Sequence, residues 1–450
     1  MIDWANKNLV LPNPEYVKKV RMGFWTGSTP DKIRLYKMHG QDLVVPYGCL
    51  RDVLKLLSSE PNISIKNFCP MPIRVAYGGK DVPLYDYQKK AVEEAYYAQY
   101  GIIQSKAGSG KTQMGIALAK KYGRRTLWLT HTLDLLKQSK DRAMWFMDES
   151  VIGTIAEGKV EIGSGITFAT VQTMSKLDLT QYSDYWDVII VDECHRCTGT
   201  PTAVTQFSKV LNSLAARHKY GLSATVHRSD GMIKATFALL GEVVYSVPDS
   251  AVADKVMQVG IMPIHTQVGF SPRILNTDGT LNYMKLMTYL VENDDRNQVI
   301  ADTIAENRGK SSLILSTRLS HLEELMNLLP TDMQRDAVMI SGTMTSKSGK
   351  AAREQAIEDM RSGKKKYLFA TYNLAKEGLD IPRLERLYMA TPQKDFAVIT
   401  QSIGRIARIY EGKADPICYD FVDEIPYCIN KFKDRYRHYK KNDCYLAVEK

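Results

Sequence analysis

The chain has 450 residues, 44% of them apolar and 24% charged, and a formal net charge of +10, a globular composition with length for roughly two to three domains. No apolar stretch approaches the ~20 residues that span a bilayer, and the N-terminus lacks the basic-then-apolar layout of a secretory signal. The seven cysteines, Cys49, Cys69, Cys194, Cys197, Cys418, Cys428 and Cys444, form no disulfide framework and point to a reducing, cytoplasmic setting, while the excess positive charge favours a polyanionic partner.

Residues 1–80 carry 12 Lys/Arg against 6 Asp/Glu. A strand at 34–38, a turn at His39-Gly40-Gln41-Asp42 and a short helix at 53–57 predict a small basic α+β module. Residues 81–250 alternate strand and helix signals. Gly101–Gln104, Thr126–Thr130, 165–170 and 188–191 read as strands, and 113–121 as the helix after a glycine-rich loop. Repeated βα units predict a doubly wound parallel sheet. Residues 246–298 are broken by Pro248, Pro263, Pro272 and the turn Asn276-Thr277-Asp278-Gly279, which suggests a link near 246–260 and then an irregular lead-in or hairpin. Strands at 311–316, Ala337–Ile340 and Tyr367–Thr371, with helices at 321–329 and 351–360, predict a second α/β lobe. In the tail, 430–441, basic residues alternate with Phe432, Tyr436 and Tyr439, as in a helix packed on that lobe. The expected division is 1–80, 81–250 and 251–450.

Two motifs carry the chemistry. Gly108-Ser109-Gly110-Lys111-Thr112 follows a strand and opens a helix, which is the setting of a phosphate loop. Its glycines let backbone N–H groups approach phosphates, Lys111 neutralises the β/γ charge and the Thr112 hydroxyl ligates Mg²⁺. The formal pattern places glycine where Ser105 stands. Asp192-Glu193-Cys194-His195 follows the apolar run Val188-Ile189-Ile190-Val191, so its carboxylates sit at the tip of a buried parallel strand, where open α/β sheets bind ligands. Asp192 suits a metal held through water, and Glu193 the orientation of a water attacking the γ-phosphate. Cys194 and Cys197 have zinc-ligand spacing but no second ligand pair, and read as small residues beside the nucleotide site.

The order of motifs resembles superfamily 2 helicases of the DECH type, in particular XPB-like helicases and phage recombination helicases of the UvsW type. The resemblance is close over 85–225 and 310–410. It implies two RecA-like lobes that use ATP and Mg²⁺ and act on DNA. Gln88, in Tyr85-Asp86-Tyr87-Gln88, stands where such enzymes read adenine, and an amide can bond both N6 and N7 of that base. Many relatives have Arg where Asp86 stands. Ser223-Ala224-Thr225 matches the segment that links hydrolysis to strand movement, with His195 as coupling residue. In Gln401-Ser402-Ile403-Gly404-Arg405-Ile406-Ala407-Arg408, Gln401 senses nucleotide. Arg405 and Arg408, three residues apart on one helix face, reach the γ-phosphate as arginine fingers. Gly378 permits close backbone approach, Asp380 bonds the ribose, and Thr371 a nucleic-acid phosphate. Thr130, His131, Thr170 and Gln172, with Thr317 and its neighbours Arg318, Ser341 and Gly342 on the second lobe, contact the nucleic-acid backbone without reading sequence.

The N-terminal module is placed like the duplex-binding domain of those relatives. It and residues 256–290 are the candidates for a strand-separating wedge. The resulting expectation is an ATP-dependent DNA helicase or translocase acting on forks and four-way junctions, including branch migration. Backbone grip is shared with RNA helicases and with duplex translocases that do not unwind, so both remain rivals on sequence alone.

Overall fold

The computed structural model describes all residues except 59, 61–62, 67–68, 70, 107, 199–200, 225, 227–231, 252–255, 343, 345, 377–378 and 448–450. Two compact units emerge, residues 1–106 with 110–251, and residues 107–109 with 252–450. No described helix is long and apolar enough to cross a membrane.

The first unit is built on an eight-stranded sheet. Its strands are β1 (Gly101–Gln104), β2 (Thr126–Thr130), β3 (Ile152–Ala156), β4 (Lys159–Glu161), β5 (Ile166–Thr170), β6 (Val188–Asp192), β7 (His218–Ser223) and β8 (Val243–Ser246). The spatial order is β8-β1-β7-β6-β2-β5-β3-β4. All pairs are parallel except the β3–β4 hairpin. Strands β2, β5, β6 and β7 are buried at every position, as expected of a sheet covered on both faces, and β2 and β6 show it in sequence as the runs Leu127-Trp128-Leu129 and Val188-Ile189-Ile190-Val191. Helices α1 (Asp86–Ala98), α2 (Lys111–Tyr122), α3 (Leu133–Met144), α4 (Pro201–Ser213) and α5 (Ile233–Leu240) flank it. Helix α2 lies so close to the sheet that a Cβ on Gly115 would strike the Trp128 ring and Leu222. Cys194 and Cys197 are fully buried in the apolar core with Phe207, Val210 and Leu211.

The N-terminal residues form short elements: helices Ile2–Asn8, Pro14–Arg21 and Leu50–Leu57, and two small antiparallel pairings, Val10–Pro12 with Lys32–Arg34 and Lys37–His39 with Asp42–Val44. Their apolar side chains, Ala5, Leu9, Leu11, Leu35, Tyr36 and Cys49, cluster with Met232, Ala235 and Ala238 around α5. The segment therefore borrows its core from the first unit.

The second unit carries a seven-stranded, wholly parallel sheet. Its strands are β9 (Gly260–Gly269), β10 (Ser312–Ser316), β11 (Ala337–Ile340), β12 (Tyr367–Thr371), β13 (Arg386–Met389), β14 (Ile417–Glu424) and β15 (Tyr445–Leu446), ordered β11-β12-β10-β13-β14-β9-β15. Helices α6 (Asp294–Glu306), α7 (Leu319–Leu328), α8 (Lys347–Ser362), α9 (Phe396–Ile406) and α10 (Pro426–Lys441) cover it. Strand β9 corrects the irregular reading over 260–269, whereas the turn read at 276–279 is present, closing between the bridged Leu275 and Leu281. The strand is ten residues long and pairs with β14. Pro263 signalled a break, but the Gly260 N–H bonds β14 through the Pro416 carbonyl while the Ile261 carbonyl accepts from the Ala447 N–H on the other side, so the alternation turns Pro263 away from β14 and its missing N–H costs no bond of the β9–β14 ladder. The tail is the helix α10. Its Arg435 makes paired 2.8 Å bonds to Asp420, and Arg296 of α6 bonds Asp423 at 2.7 Å, all four side chains being essentially buried.

Candidate active site

In the first unit, strand register brings the motifs to one sheet edge. Gln104 pairs with Ser223, Leu222 with Asp192, and Thr130 with Thr170. The carboxyl ends of β1, β7, β6, β2 and β5 therefore lie side by side, where α/β sheets bind ligands.

The phosphate loop leaves β1 and turns into α2. Gly108 and Gly110 have φ of +83° and +80°, a conformation open to glycine at little cost. Gly110 caps α2, and Lys111 and Thr112 begin its first turn, where unsatisfied N–H groups and the helix dipole favour an anion. Ser109 and Lys111 are buried and Thr112 is half-buried. Gln88 is buried in α1. Its Oε1 accepts from the Tyr85 N–H at 2.9 Å, and a Cβ on Gly110 would collide with its Nε2. The amide thus sits against the phosphate loop, with its oxygen already engaged.

At the tip of β6 the Asp192 carboxylate accepts from the Glu193 N–H at 2.9 Å and from the Ser139 hydroxyl of α3 at 3.2 Å. Ser139 carries no sequence signal, since only the packing of α3 on the sheet brings it there. Burial, and then the neighbouring Glu193 charge, push the Asp192 pKa up to about 7. A carboxylate destabilised in this way gains from a divalent cation, and a hydroxyl with a carboxylate is the hard-oxygen donor set that Mg²⁺ takes. Thr112 and Asp192 therefore fit Mg²⁺.

Glu193 has φ +49°, a left-handed conformation uncommon for a non-glycine residue and characteristic of functional strand ends. One carboxylate oxygen lies 3.9 Å from Lys111 Nζ and the other 3.3 Å from His195 Nδ1. The same imidazole nitrogen is 3.0 Å from Ser223 Oγ. A polar chain, Lys111–Glu193–His195–Ser223, thus runs from the phosphate loop through the tip of β6 to the end of β7. Thr225 lies outside the described residues.

The backbone-contact candidates of this unit differ in what they expose. The Thr130 hydroxyl is fully buried and donates to the Thr132 carbonyl at 3.0 Å. Its side chain is committed to the turn, which corrects the expectation of a hydroxyl–phosphate contact there and leaves only backbone groups. Thr170 is also buried, and its hydroxyl donates to Thr173. His131 is half-buried, and burial together with Arg196 and His195 lowers its pKa to about 3, so it is neutral at pH 7. Exposed Gln172 donates its Nε2–H to the His131 carbonyl at 2.8 Å.

In the second unit Ser316 pairs with Thr371, Ile340 with Ala370, and Leu315 with Met389, so Thr317, Thr371 and Ser341 gather at one edge. Thr317 is exposed, its N–H donating to Thr391 Oγ1 at 3.0 Å, and Thr371 is half-buried. Ser341 is buried, and the Arg318 guanidinium donates to Thr288 Oγ1 at 2.5 Å. Gln401 is buried in α9, and the half-buried Arg405 donates to the Leu379 carbonyl at 3.1 Å. The reading of Arg405 and Arg408 on one helix face needs correction. Helix α9 ends at Ile406. Arg408 lies beyond it in a β-bridge with Val256, and the Ala407 carbonyl accepts from the Met257 N–H at 2.7 Å. Lys413 donates to the Ile406 carbonyl, one of the helix's unsatisfied C-terminal acceptors, and to the Arg408 carbonyl beyond it. The Arg408 guanidinium is ion-paired with Asp380. Gly378 lies outside the described residues.

Comparison with known proteins identifies the two domains. Residues 81–228 match the domain model of the type III restriction enzyme res subunit, and residues 295–410 that of the helicase conserved C-terminal domain. A putative ATP-dependent RNA helicase of Acanthamoeba polyphaga mimivirus is 27% identical over 438 residues, covering 93% of this chain and 80% of that protein. A probable helicase of Escherichia phage T5 is 28% identical over 324 residues, covering 71% and 67%. The ATP-dependent DNA helicase uvsW of Enterobacteria phage T4 is 22% identical over 446 residues, covering 91% and 83%. Among solved structures, S. cerevisiae Dbp5 bound to RNA and ADP BeF3 aligns over 81% of this chain and 94% of that one, with a TM-score of 0.55 at 16% identity, which speaks for the fold alone. With two parallel-sheet RecA-like units, the two helicase domain models and helicase relatives spanning most of its length, the chain belongs to helicase superfamily 2 and is an ATP-dependent helicase.

Proposed function

We propose that this helicase acts on DNA, and on branched DNA in particular: forks and four-way junctions that it unwinds or migrates during replication, recombination or repair in the cytoplasm. The observation that carries the motor reading is the polar chain from Lys111 through Glu193 and His195 to Ser223. ATP with Mg²⁺ supplies the phosphoanhydride whose hydrolysis drives the cycle. Lys111 neutralises phosphate charge. Thr112 and Asp192 would hold Mg²⁺, which would shield the phosphate charge, and Glu193 orients the attacking water and takes its proton. His195 passes the state of the site to Ser223. From the second unit, Gln401 senses the nucleotide, and Arg405 and Arg408 balance the charge of the γ-phosphate. For that role Arg408 must exchange Asp380 for phosphate. Exposed Gln172 and Thr317, with the half-buried Thr371, hold the nucleic-acid backbone.

Support for branched DNA comes from the N-terminal segment. It is basic, 12 Lys/Arg against 6 Asp/Glu over residues 1–80, and it shares a core with α5. Two gripping surfaces on one unit suit a substrate with more than one arm. RNA is the second reading, favoured by the name of the mimivirus relative. The test is ATP hydrolysis with single-stranded DNA, duplex DNA, four-way junctions and RNA. Strongest stimulation by junctions supports the proposal, stimulation by RNA above DNA decides for the rival, and no stimulation by any nucleic acid sinks both.

A further inference from the structure

The most exposed large apolar side chain of the chain's described residues is Trp25, at 89% of its full surface, and it is flanked by Met22 at 52% and Phe24 at 59%. These residues form a loop after the helix Pro14–Arg21, which itself buries no residue. The loop is built rather than frayed. The Phe24 N–H donates to the Lys19 carbonyl and the Thr29 N–H to the Thr26 carbonyl. Lys19 Nζ bonds Thr29 Oγ1 at 2.6 Å, and Asn13 Nδ2 bonds the Pro30 carbonyl at 2.8 Å. Gly23 and Gly27 take φ of +66° and +54°, and the indole lies over Gly27, 3.0 Å from where a Cβ would stand. A flat ring is thus presented to solvent on a loop tied at both ends, with Phe24 beside it.

The surroundings decide what it meets. Residues 14–39 hold six Lys/Arg and two acids. Lys18, Arg21, Lys32 and Lys37 are exposed and form no ion pair among the described residues. Exposed aromatic side chains in a basic segment match the two parts of a nucleotide, since bases stack on rings and phosphates meet the charges. An apolar partner protein would leave those cations opposite nothing.

Resting on the DNA-motor reading above, we propose that Trp25 with Phe24 is a base-stacking site for unpaired nucleotides, with the exposed Lys18, Arg21 and Lys32 of the same segment as phosphate ligands. On a branched substrate it receives bases freed at the branch point, so the N-terminal segment distinguishes a fork from intact duplex. The ligand class is single-stranded nucleic acid, read by stacking rather than by sequence.

The test is the binding of the full chain to a forked DNA with unpaired arms and to a blunt duplex of equal length, by fluorescence anisotropy at fixed salt. Trp25→Ala should weaken fork binding on the order of ten-fold and blunt-duplex binding far less, the scale of one lost stacking contact. Trp25→Phe should recover most of the loss. Thermal unfolding serves as the control, because so exposed a side chain holds no core. Fork binding by Trp25→Ala equal to that of the unaltered chain overturns the proposal. Equal losses on fork and blunt duplex also overturn it, in favour of a duplex grip. If the unaltered chain hydrolyses ATP faster with DNA while either result holds, the stacking site fails and the motor reading stands; if DNA never stimulates it, the motor reading fails.

Discussion

Lys111 and Glu193 meet at 3.9 Å, yet they do different work, and their variants should separate. Lys111→Ala removes the charge opposite the β/γ-phosphates and is expected to abolish hydrolysis while sparing much of the DNA affinity. Glu193→Gln keeps shape and loses the base. Nucleotide binding should persist while turnover falls by roughly a hundred- to ten-thousand-fold. Hydrolysis assays alongside titration with a fluorescent ATP analogue read both, and normal turnover in Glu193→Gln would remove the base assignment. His195 bonds Ser223 Oγ at 3.0 Å and neighbours Glu193 at 3.3 Å. In His195→Ala, DNA-free hydrolysis should fall by a few-fold at most, while stimulation by DNA is largely lost. An unchanged ratio of stimulated to unstimulated rate would deny His195 a coupling role. These residues were legible because each lies in a short contiguous motif. Ser139 and the Arg408–Asp380 pair were not, since their partners are far away in sequence.

Elements were legible where burial is symmetric. A strand such as β6 is covered on both faces and reads as a continuous β-branched run. Strand β9 was hidden by Pro263, because the rule that proline breaks a strand depends on which edge is paired. Helix α9 likewise stops two residues before Arg408, where competing bonds from Lys413 and Met257 override local periodicity. One contact between elements has a pH signature. His321, at the start of α7, joins Ser316 Oγ of β10 to Asn297 Oδ1 of α6, each at 2.9 Å. Burial, then Arg296 and Arg318, lower its pKa from 6.5 to about 3. The folded state keeps the imidazole neutral while the unfolded chain binds a proton. Its contribution is therefore fully present above pH 6.5 and is lost as pH falls toward 3, at up to ~1.4 kcal/mol per pH unit. Urea unfolding midpoints between neutral pH and roughly pH 5 should decline less steeply in His321→Gln than in the unaltered chain. Parallel declines would show that other groups set the acid sensitivity.

At the scale of the whole molecule the N-terminal segment is both a structural cover and a basic surface, and the two roles can be pulled apart. Deleting residues 1–57 uncovers Met232, Ala235 and Ala238. It should lower the thermal stability of the chain and promote aggregation, read by calorimetry and light scattering. The double substitution Lys18→Glu with Arg21→Glu touches only exposed charges. The fold should persist, with the salt dependence of DNA binding reduced by about two phosphate contacts; an unaltered slope would place the DNA elsewhere. By itself the sequence determined the chemistry of the phosphate loop and of the acidic strand tip, and the alternation that makes two parallel sheets, because those signals are local: a few adjacent residues, or a repeat of β and α. Tertiary structure alone decided which strand ends become neighbours, that the N-terminal segment shares its core with α5 instead of owning one, and that Trp25 stands in water. Burial and exposure depend on what packs against a residue, and packing is settled by partners dozens to hundreds of residues away.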